Sequence, residues 1–473
     1  MAFLMPTRAH LIGIGGINMS GIAKLLQAAG VPVTGSDVAQ SELTDELVKQ
    51  GIDVKIGHAP ENVPPATDLV IYSSAVPEGN PERAEARRLN VRQLTNFQFL
   101  GEWTADKHPV LVCGTHGKST TTAMAGLMFI DAGYEPTVIV GSRVPAFREG
   151  NVYLGNSDLV VIEGDEYAKH FLEFEPSAVV INNIELDHTD IFADIRDLTE
   201  TFRELLRKVR SGGLVVANAD DPRVQTLIGE ERSRLEARGI RIKTFGFGSH
   251  ADIRVADYAV RVESQLFALR DDEGLMSRFT LQIPGRMNIM NAVAAAALAM
   301  HLNVGAENVR RVLASFKGIW RRFEKVLDRD RMLVVSDYGH HPTAVAATLD
   351  AAKSFYAGRR IVLCFQPHHR NRTKHLFADF IPSFDKADAL VLAEVYDVAG
   401  REEAADGAVS SRDLLEAIAK RDEERGIKRT LEYARDPQEA LAMLKHLRAP
   451  GDVIIVMGAG DIYRIATHVL DYP

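Results

Sequence analysis

From Val110 to Thr121 the chain reads Val-Leu-Val-Cys-Gly-Thr-His-Gly-Lys-Ser-Thr-Thr: an apolar strand, a glycine-bounded turn, then the start of a helix. That order leaves few folds open. A strand so uniformly apolar is buried on both faces, which implies a largely parallel sheet covered by helices. In such a sheet the turn at the carboxyl end of a strand is where ligands sit. Glycines let backbone N–H groups wrap phosphates, Lys118 neutralises β/γ charge, and a hydroxyl from Ser119 or Thr120 reaches Mg²⁺. Gly114, Thr115, His116 and Gly117 complete the candidate cradle. The turn is shorter than the usual G-x-x-x-x-G-K-[ST] spacing.

Short strands alternate with amphipathic helical stretches through the rest of the 473 residues, so the fold class is α/β with parallel-rich sheets. Three blocks are expected: 1–107, 108–318 and 319–473. In the first, strands are expected at His10–Ile14, Val31–Thr34 and Leu69–Ser73, with a helix over Ser20–Ala29. The second holds Val110–Cys113, Leu159–Glu163 and Ala178–Asn182, a more antiparallel region around 241–283, and a helix over Asn288–His301. Leu333–Ser336, Arg360–Phe365, Ala389–Val395 and Asp452–Met457 are the expected strands of the third. The run Arg401–Arg425 reads as a solvated loop and helix face.

Another glycine turn, the first along the chain, Gly13-Ile14-Gly15-Gly16-Ile17-Asn18-Met19-Ser20-Gly21, follows the first strand. It suits a diphosphate, because glycines admit close backbone approach and the helix N-terminus carries partial positive charge. Asp37 stands where a ribose contact is expected in such folds. Asn18 occupies the third glycine position of the dinucleotide fingerprint, which argues against a nicotinamide cofactor.

Acidic residues recur at the ends of two buried strands, in Glu163-Gly164-Asp165-Glu166 and Asn182-Asn183-Ile184-Glu185-Leu186-Asp187-His188. Beside a phosphate loop they are placed to hold Mg²⁺, a hard cation that prefers oxygen. No Cys/His spacing indicates zinc. Asn288 and Asn291 share a helical face, and Asn288 alternatively reads as an N-cap. Arg321-Arg322, Ser336-Asp337-Tyr338-Gly339-His340-His341 and Gln366-Pro367-His368-His369-Arg370-Asn371-Arg372 gather positive charge suited to anionic ligands.

Composition narrows the function further. Lys+Arg 55 against Asp+Glu 64 gives a net charge of −9, which argues against a nucleic-acid coat. The longest apolar stretch, Ala292–Met300, is too short to span a bilayer, and no signal-like segment opens the chain, so a cytoplasmic, membrane-free protein is expected. Two cysteines make no disulfide framework.

The motifs HLIGIGGINMSGIA, GSD, GHAPEN, SSAVPEGNPE, GTHGKSTTT, INNIELDHTD, GIWRRFE, DYGHHPTAV, FQPHHRNRT and MGAGDIY resemble, in order and spacing, the Mur ligase family of ATP-dependent amide ligases in peptidoglycan precursor synthesis. The resemblance implies a Rossmann-like UDP-binding domain, a central P-loop ATPase domain and a C-terminal Rossmann-like domain. It implies L-alanine, UDP-N-acetylmuramate and ATP as substrates, with Mg²⁺, in a monomer or homodimer. By this resemblance Gly15, Gly16, Met19, Ser20, Asp37, His58 and Ser74 bind the UDP-sugar. Gly114 to Thr120, Asn288, Asn291, Arg322 and Asp337 meet ATP, with Ser119, Thr120, Glu163 and His188 at magnesium. Lys118, Glu163 and His188 are the implied catalytic set, and Tyr338, His340, His369 and Arg372 surround the amino acid.

Four positions depart from the alanine-adding pattern: Asn18, Met287, Tyr167, and His369 in place of an arginine. Glu163-x-Asp165-Glu166-Tyr167 and Asn182-Asn183-Ile184-Glu185 resemble instead the branch that attaches an intact tripeptide, while the third-block motifs resemble the alanine branch. If the amino-acid clamp needs a second arginine, Arg370 is the neighbour that could swing in.

Overall fold

A computed structural model describes residues 3–186, 191–261, 263–397 and 409–471. The chain divides into two compact units: Met1–Arg254 with Asn291–Val312, and Val255–Met290 with Leu313–Pro473.

The first unit opens with strands β1 (Ala9–Ile12), β2 (Val33–Asp37), β3 (Asp53–Ile56), β4 (Leu69–Tyr72) and β5 (Arg92–Thr95). They form one parallel sheet in the order β3-β2-β1-β4-β5. The order reverses between β1 and β4, the switch point where ligands enter doubly wound sheets. Its central strand is fully buried, whereas β3 is mostly exposed. The helix after β1 spans Ile17–Ala28, three residues earlier than the sequence suggests. Its N-cap is Gly16 and no side chain caps it, so the start carries no capping signature.

The same unit continues with β6 (His108–Cys113), β7 (Thr137–Ile139), β8 (Val152–Tyr153), β9 (Leu159–Glu163), β10 (Ala178–Ile181), β11 (Leu214–Asn218) and β12 (Arg241–Gly246). Their order is β12-β11-β10-β6-β9-β7-β8, parallel except for the antiparallel edge strand β8. β6 and β10 are buried along nearly their whole length, and both end beside the second glycine loop. The first residues of β13 (Ile253–Arg261) still pair parallel to β12, so the region expected to look antiparallel does not begin at 241.

In the second unit β14 (Ser264–Asp271) and β15 (Gly274–Leu281) form an antiparallel hairpin. β16 (Glu324–Arg329), β17 (Met332–Asp337), β18 (Ile361–Phe365), β19 (Ala389–Ala393), β20 (Thr430–Ala434) and β21 (Val453–Met457) form a sheet ordered β16-β17-β21-β18-β19-β20. Only β16 runs antiparallel in it. β17, β18, β19 and β21 are buried throughout, consistent with helices on both faces. A helix covers Ser411–Glu424 with a Ser410–Asp413 capping box; the earlier part of the Arg401–Arg425 run lies outside the described residues. Both cysteines are buried and unpaired. Among the described residues no helix is long and apolar enough to cross a membrane.

Candidate active site

At the carboxyl edge of the first sheet the glycine turn leaves β1 at the switch point. The Gly15 N–H donates to Asp37 Oδ2 at 2.8 Å, so the acidic residue closing β2 braces the loop. Met19 is buried in the core, so what it offers a ligand is its backbone in the helix's first turn, where N–H groups lack intrahelical partners. Ser20 is buried, and its hydroxyl donates to the Ile17 carbonyl at 2.9 Å. Gly16 and Ser74 are exposed at this edge, and His58 follows β3. The chain topology therefore brings all the predicted UDP-sugar residues to one sheet edge.

Beneath them lies a network that sequence reasoning missed. Glu82 is fully buried, and its carboxylate accepts from Ser36 Oγ at 2.5 Å, Asn62 Nδ2 at 2.6 Å and the Ala59 N–H at 3.3 Å. His10 Nε2 lies 3.3 Å and His58 Nδ1 3.5 Å from the same group. Burial would raise the carboxyl's pKa, but hydrogen bonds from His10, Ser36 and Asn62 outweigh it and hold it at about 2. In sequence Glu82 is an ordinary first-turn acid behind the Asn80-Pro81 helix start, which is why no local signal finds it.

The second loop is built on β6. Gly117, at φ 82°, is the N-cap of the helix Lys118–Asp131. A side chain there would also collide with the Oδ1 of Asn291. Asn183 braces the loop: its Oδ1 accepts from the His116 N–H at 2.8 Å and its Nδ2 donates to the His116 carbonyl at 3.1 Å. Thr115 Oγ1 donates to the Glu185 carbonyl, and His116 Nε2 stands 2.9 Å from Glu185 Oε2.

Lys118 Nζ donates to both oxygens of buried Glu166 at 2.9 Å. Burial disfavours the ammonium, but Glu166, Asp165 and Glu163 together overcome this and raise its pKa. One residue on, Ser119 Oγ donates to Glu163 Oε1 at 2.8 Å, while Gly141 N–H donates to Glu163 Oε2 at 2.6 Å. Ser119 thus meets the strand-end carboxylate; Thr120, the other candidate hydroxyl, is buried beside it. His188 lies outside the described residues. Glu166, one of the strand-end acids that the sequence places near Mg²⁺, is the partner of Lys118 here, and Asn183, to which the sequence assigns no role, is the brace of His116.

Asn288 is the third residue of the helix Arg286–His301, and its Nδ2 donates to the Pro284 carbonyl at 2.7 Å. It is therefore not the N-cap: the helix begins two residues before it.

In the second unit, the carboxyl edge of the last sheet gathers the remaining residues. Asp337 ends β17, buried, accepting from Phe323 N–H at 2.8 Å and Gly339 N–H at 2.7 Å; burial raises its pKa. The two adjacent arginines part company. Arg321 is buried, donates to the Gly458 and Gly460 carbonyls, and stacks on Tyr463 and Tyr338. Arg322 is half-buried with its guanidinium 4.9 Å from the Tyr338 ring centre, leaving it the arginine better placed to meet a ligand.

His340 packs edge-on against Tyr338, and His368 stacks on Tyr396. Arg372 Nη1 lies 3.3 Å from His368 Nδ1. His369 adopts φ 68° where the chain turns into the helix Arg370–His375. The guanidinium of Arg370 is held by Asp397 at 3.0 Å and Glu394 at 3.4 Å.

Family models match along most of the chain: "Mur ligase family, catalytic domain" over residues 8–108, "Mur ligase middle domain" over 112–299 and "Mur ligase, glutamate ligase domain" over 321–460. The UDP-N-acetylmuramate–L-alanine ligase of Salinibacter ruber is 39% identical, covering 97% of this chain and 93% of its own. The crystal structure of UDP-N-acetylmuramate–alanine ligase from Thermotoga maritima superimposes with a TM-score of 0.82 at 26% identity, over 98% of both chains. The UDP-N-acetylmuramate:L-alanyl-γ-D-glutamyl-meso-diaminopimelate ligase of Neisseria meningitides gives a TM-score of 0.60 at 28% identity, over 67% of this chain and 99% of that one.

Proposed function

This chain belongs to the Mur ligase family, and from that premise we infer that it is an ATP-dependent ligase joining L-alanine to the carboxylate of UDP-N-acetylmuramate. Its likeness to alanine-adding ligases runs over nearly the whole chain, which favours alanine over the tripeptide.

The observation that carries the chemistry is the pair Lys118 and Ser119. They are successive residues at a helix N-terminus, each engaged by a different strand-end or post-strand carboxylate. A carboxylate is a poor electrophile, so amide formation needs a leaving group. The sugar's carboxylate oxygen attacks the γ-phosphorus of ATP, the bond to the β–γ bridging oxygen breaks, and ADP leaves. The alanine amine then attacks the acyl carbon of the acyl phosphate, and inorganic phosphate departs as the amide forms. Lys118 places a positive charge against the transferring phosphoryl, and the first-turn N–H groups of Lys118–Asp131 add oriented donors.

Ser119 Oγ and Glu163 set two hard oxygen donors side by side, a fit for Mg²⁺. His188, implied by the family resemblance, would complete that set. When bound, Mg²⁺ supplies further charge neutralisation on the transferring phosphoryl. Gly15, Gly16, Met19, Ser20, Asp37, His58 and Ser74 hold the UDP-sugar. Arg322, Asp337, Asn288 and Asn291 serve the nucleotide, and Tyr338, His340, His369 and Arg372 serve alanine. The domains run 1–107, 108–318 and 319–473, and the enzyme works in the cytoplasm, where ATP is supplied. The test is ADP release: it should require UDP-N-acetylmuramate and L-alanine together. ADP released with either one omitted, at the full rate, would overturn the reading.

A further inference from the structure

Between β7 and β8 the chain forms a closed hairpin loop, with Val140 N–H donating to the Asn151 carbonyl at 3.0 Å and Val144 N–H to Gly150 at 2.7 Å. Its two ends touch different sites. At one end Gly141 N–H holds Glu163, whose other oxygen takes the Ser119 hydroxyl. At the other, fully buried Asn151 reaches the first glycine loop. Its Nδ2 donates to the Ile17 carbonyl at 2.5 Å and lies 3.4 Å from Ser20 Oγ.

We propose that Asn151 is a positioning residue that ties the UDP-sugar loop to the phosphate-and-carboxylate corner of the P-loop, so that filling one site is felt at the other. The proposal rests on the ligand assignments above and adds a link between them.

Several contacts make the link stiff. Lys24, buried, donates through Nζ to the Glu149 carbonyl at 2.7 Å and to Asn151 Oδ1 at 3.3 Å. Both polar ends of the Asn151 amide are thereby engaged by the helix Ile17–Ala28. Arg143, from the same loop, pairs with Glu46 at 2.8 Å and Glu42 at 3.2 Å on the next helix. Close packing leaves no slack at either end. A Cβ on Gly141 would sit 2.8 Å from Glu163 Oε2, and one on Gly21 would sit 3.0 Å from Asn151 Nδ2.

The consequence follows from the chemistry of Glu163. A nucleotide with its metal competes for the Ser119 hydroxyl and for a Glu163 oxygen, so the carboxylate must turn. Its second oxygen is bonded to Gly141 N–H, and the turn is passed to the loop. Next to Gly141, the bond from Val140 N–H to the Asn151 carbonyl carries the shift to Asn151, and with it to the Ile17 carbonyl and Ser20. Reciprocity then requires the sugar nucleotide to bias the P-loop by the same factor.

The test is calorimetry of UDP-N-acetylmuramate on the full chain, with and without magnesium and a non-hydrolysable ATP analogue. In the wild type the two dissociation constants should differ by about tenfold, within the usual range of coupling between sites. In Asn151→Ala the ratio should fall to about one, with affinity for the analogue alone unchanged. Lys24→Met keeps the Ile17 contact and should give an intermediate ratio, which also decides the matter if Asn151→Ala does not fold. A merely structural Asn151 would weaken sugar binding equally in both titrations, and that result overturns the proposal, as does a wild-type ratio of one or an unchanged ratio in Lys24→Met. ADP release by the wild type separates the two readings: an active enzyme without coupling sinks this proposal alone, an inactive one sinks both.

Discussion

The two glycine loops of the first unit share a construction and differ in electrostatics. Each leaves a buried parallel strand, turns on glycine and opens a helix without a side-chain cap. At the first loop the backbone is braced by Asp37, and the deep charge, Glu82, is satisfied by neutral donors and imidazoles. At the second, Lys118 faces Glu166 directly, with Asp165 and Glu163 adding to its field. The difference matches the work proposed for each. A sugar nucleotide that is held and released needs a cradle of backbone donors. A phosphoryl in flight needs charge that is stronger toward the transition state than toward the ground state.

Lys118→Ala should break this comparison most sharply. Turnover should fall by about 10³-fold or more, since the charge lost acts on the transferring group. Calorimetry should find UDP-N-acetylmuramate binding intact; its loss would show that the two loops do not divide the labour as described.

Glu82→Gln addresses the other loop through stability. With a folded pKa of about 2 against an ordinary value of 4.5, Glu82 stabilises the fold above pH 4.5 and loses that contribution as pH falls through 4.5 toward 2. The shift corresponds to about 3 kcal/mol. Urea unfolding should therefore show the variant less stable by about that amount at pH 7, with the gap closing as the medium is acidified. A gap independent of pH would mean that packing rather than charge carries the effect. Sugar-nucleotide affinity should fall as well, because the negative charge that His58 and Ser36 share is removed.

A smaller effect is expected at Glu163. Replacement by Gln leaves a neutral amide, a weaker ligand for a hard cation, and should raise the magnesium needed for half-maximal rate by about tenfold. Titration of the rate with MgCl₂ checks this, and an unchanged midpoint would leave Glu163 as a brace for Ser119 and Gly141 only.

The second loop was legible from sequence because its strand is uniformly apolar and its turn residues are specified one by one. The α/β class and most of the buried central strands follow from the same signal, although buried β7 and β11 are not among the expected strands. β3 and β5 escaped it, being short and largely polar, as edge strands of a sheet often are. What sequence could not show are the long-range partners. Glu166 answers Lys118 across 48 residues, Asn183 answers His116 across 67, and Asn151 answers Ile17 across 134. Arg321 and Arg322 are chemically identical neighbours, and only packing shows that one is spent on the carbonyls of Gly458 and Gly460.

The amine substrate is where the alanine-adding and tripeptide-adding branches divide, and where His369 and the engaged Arg370 leave Arg372 as the arginine of the motif nearest the histidines. One charged hydrogen bond to a carboxylate is still worth about 1.5–3 kcal/mol, enough to orient alanine. The decisive measurement offers equal L-alanine and L-alanyl-γ-D-glutamyl-diaminopimelate to the enzyme with ATP and limiting UDP-N-acetylmuramate, and resolves the products by mass. A product dominated by UDP-N-acetylmuramoyl-L-alanine is the predicted result; a dominant tripeptide adduct would contradict it.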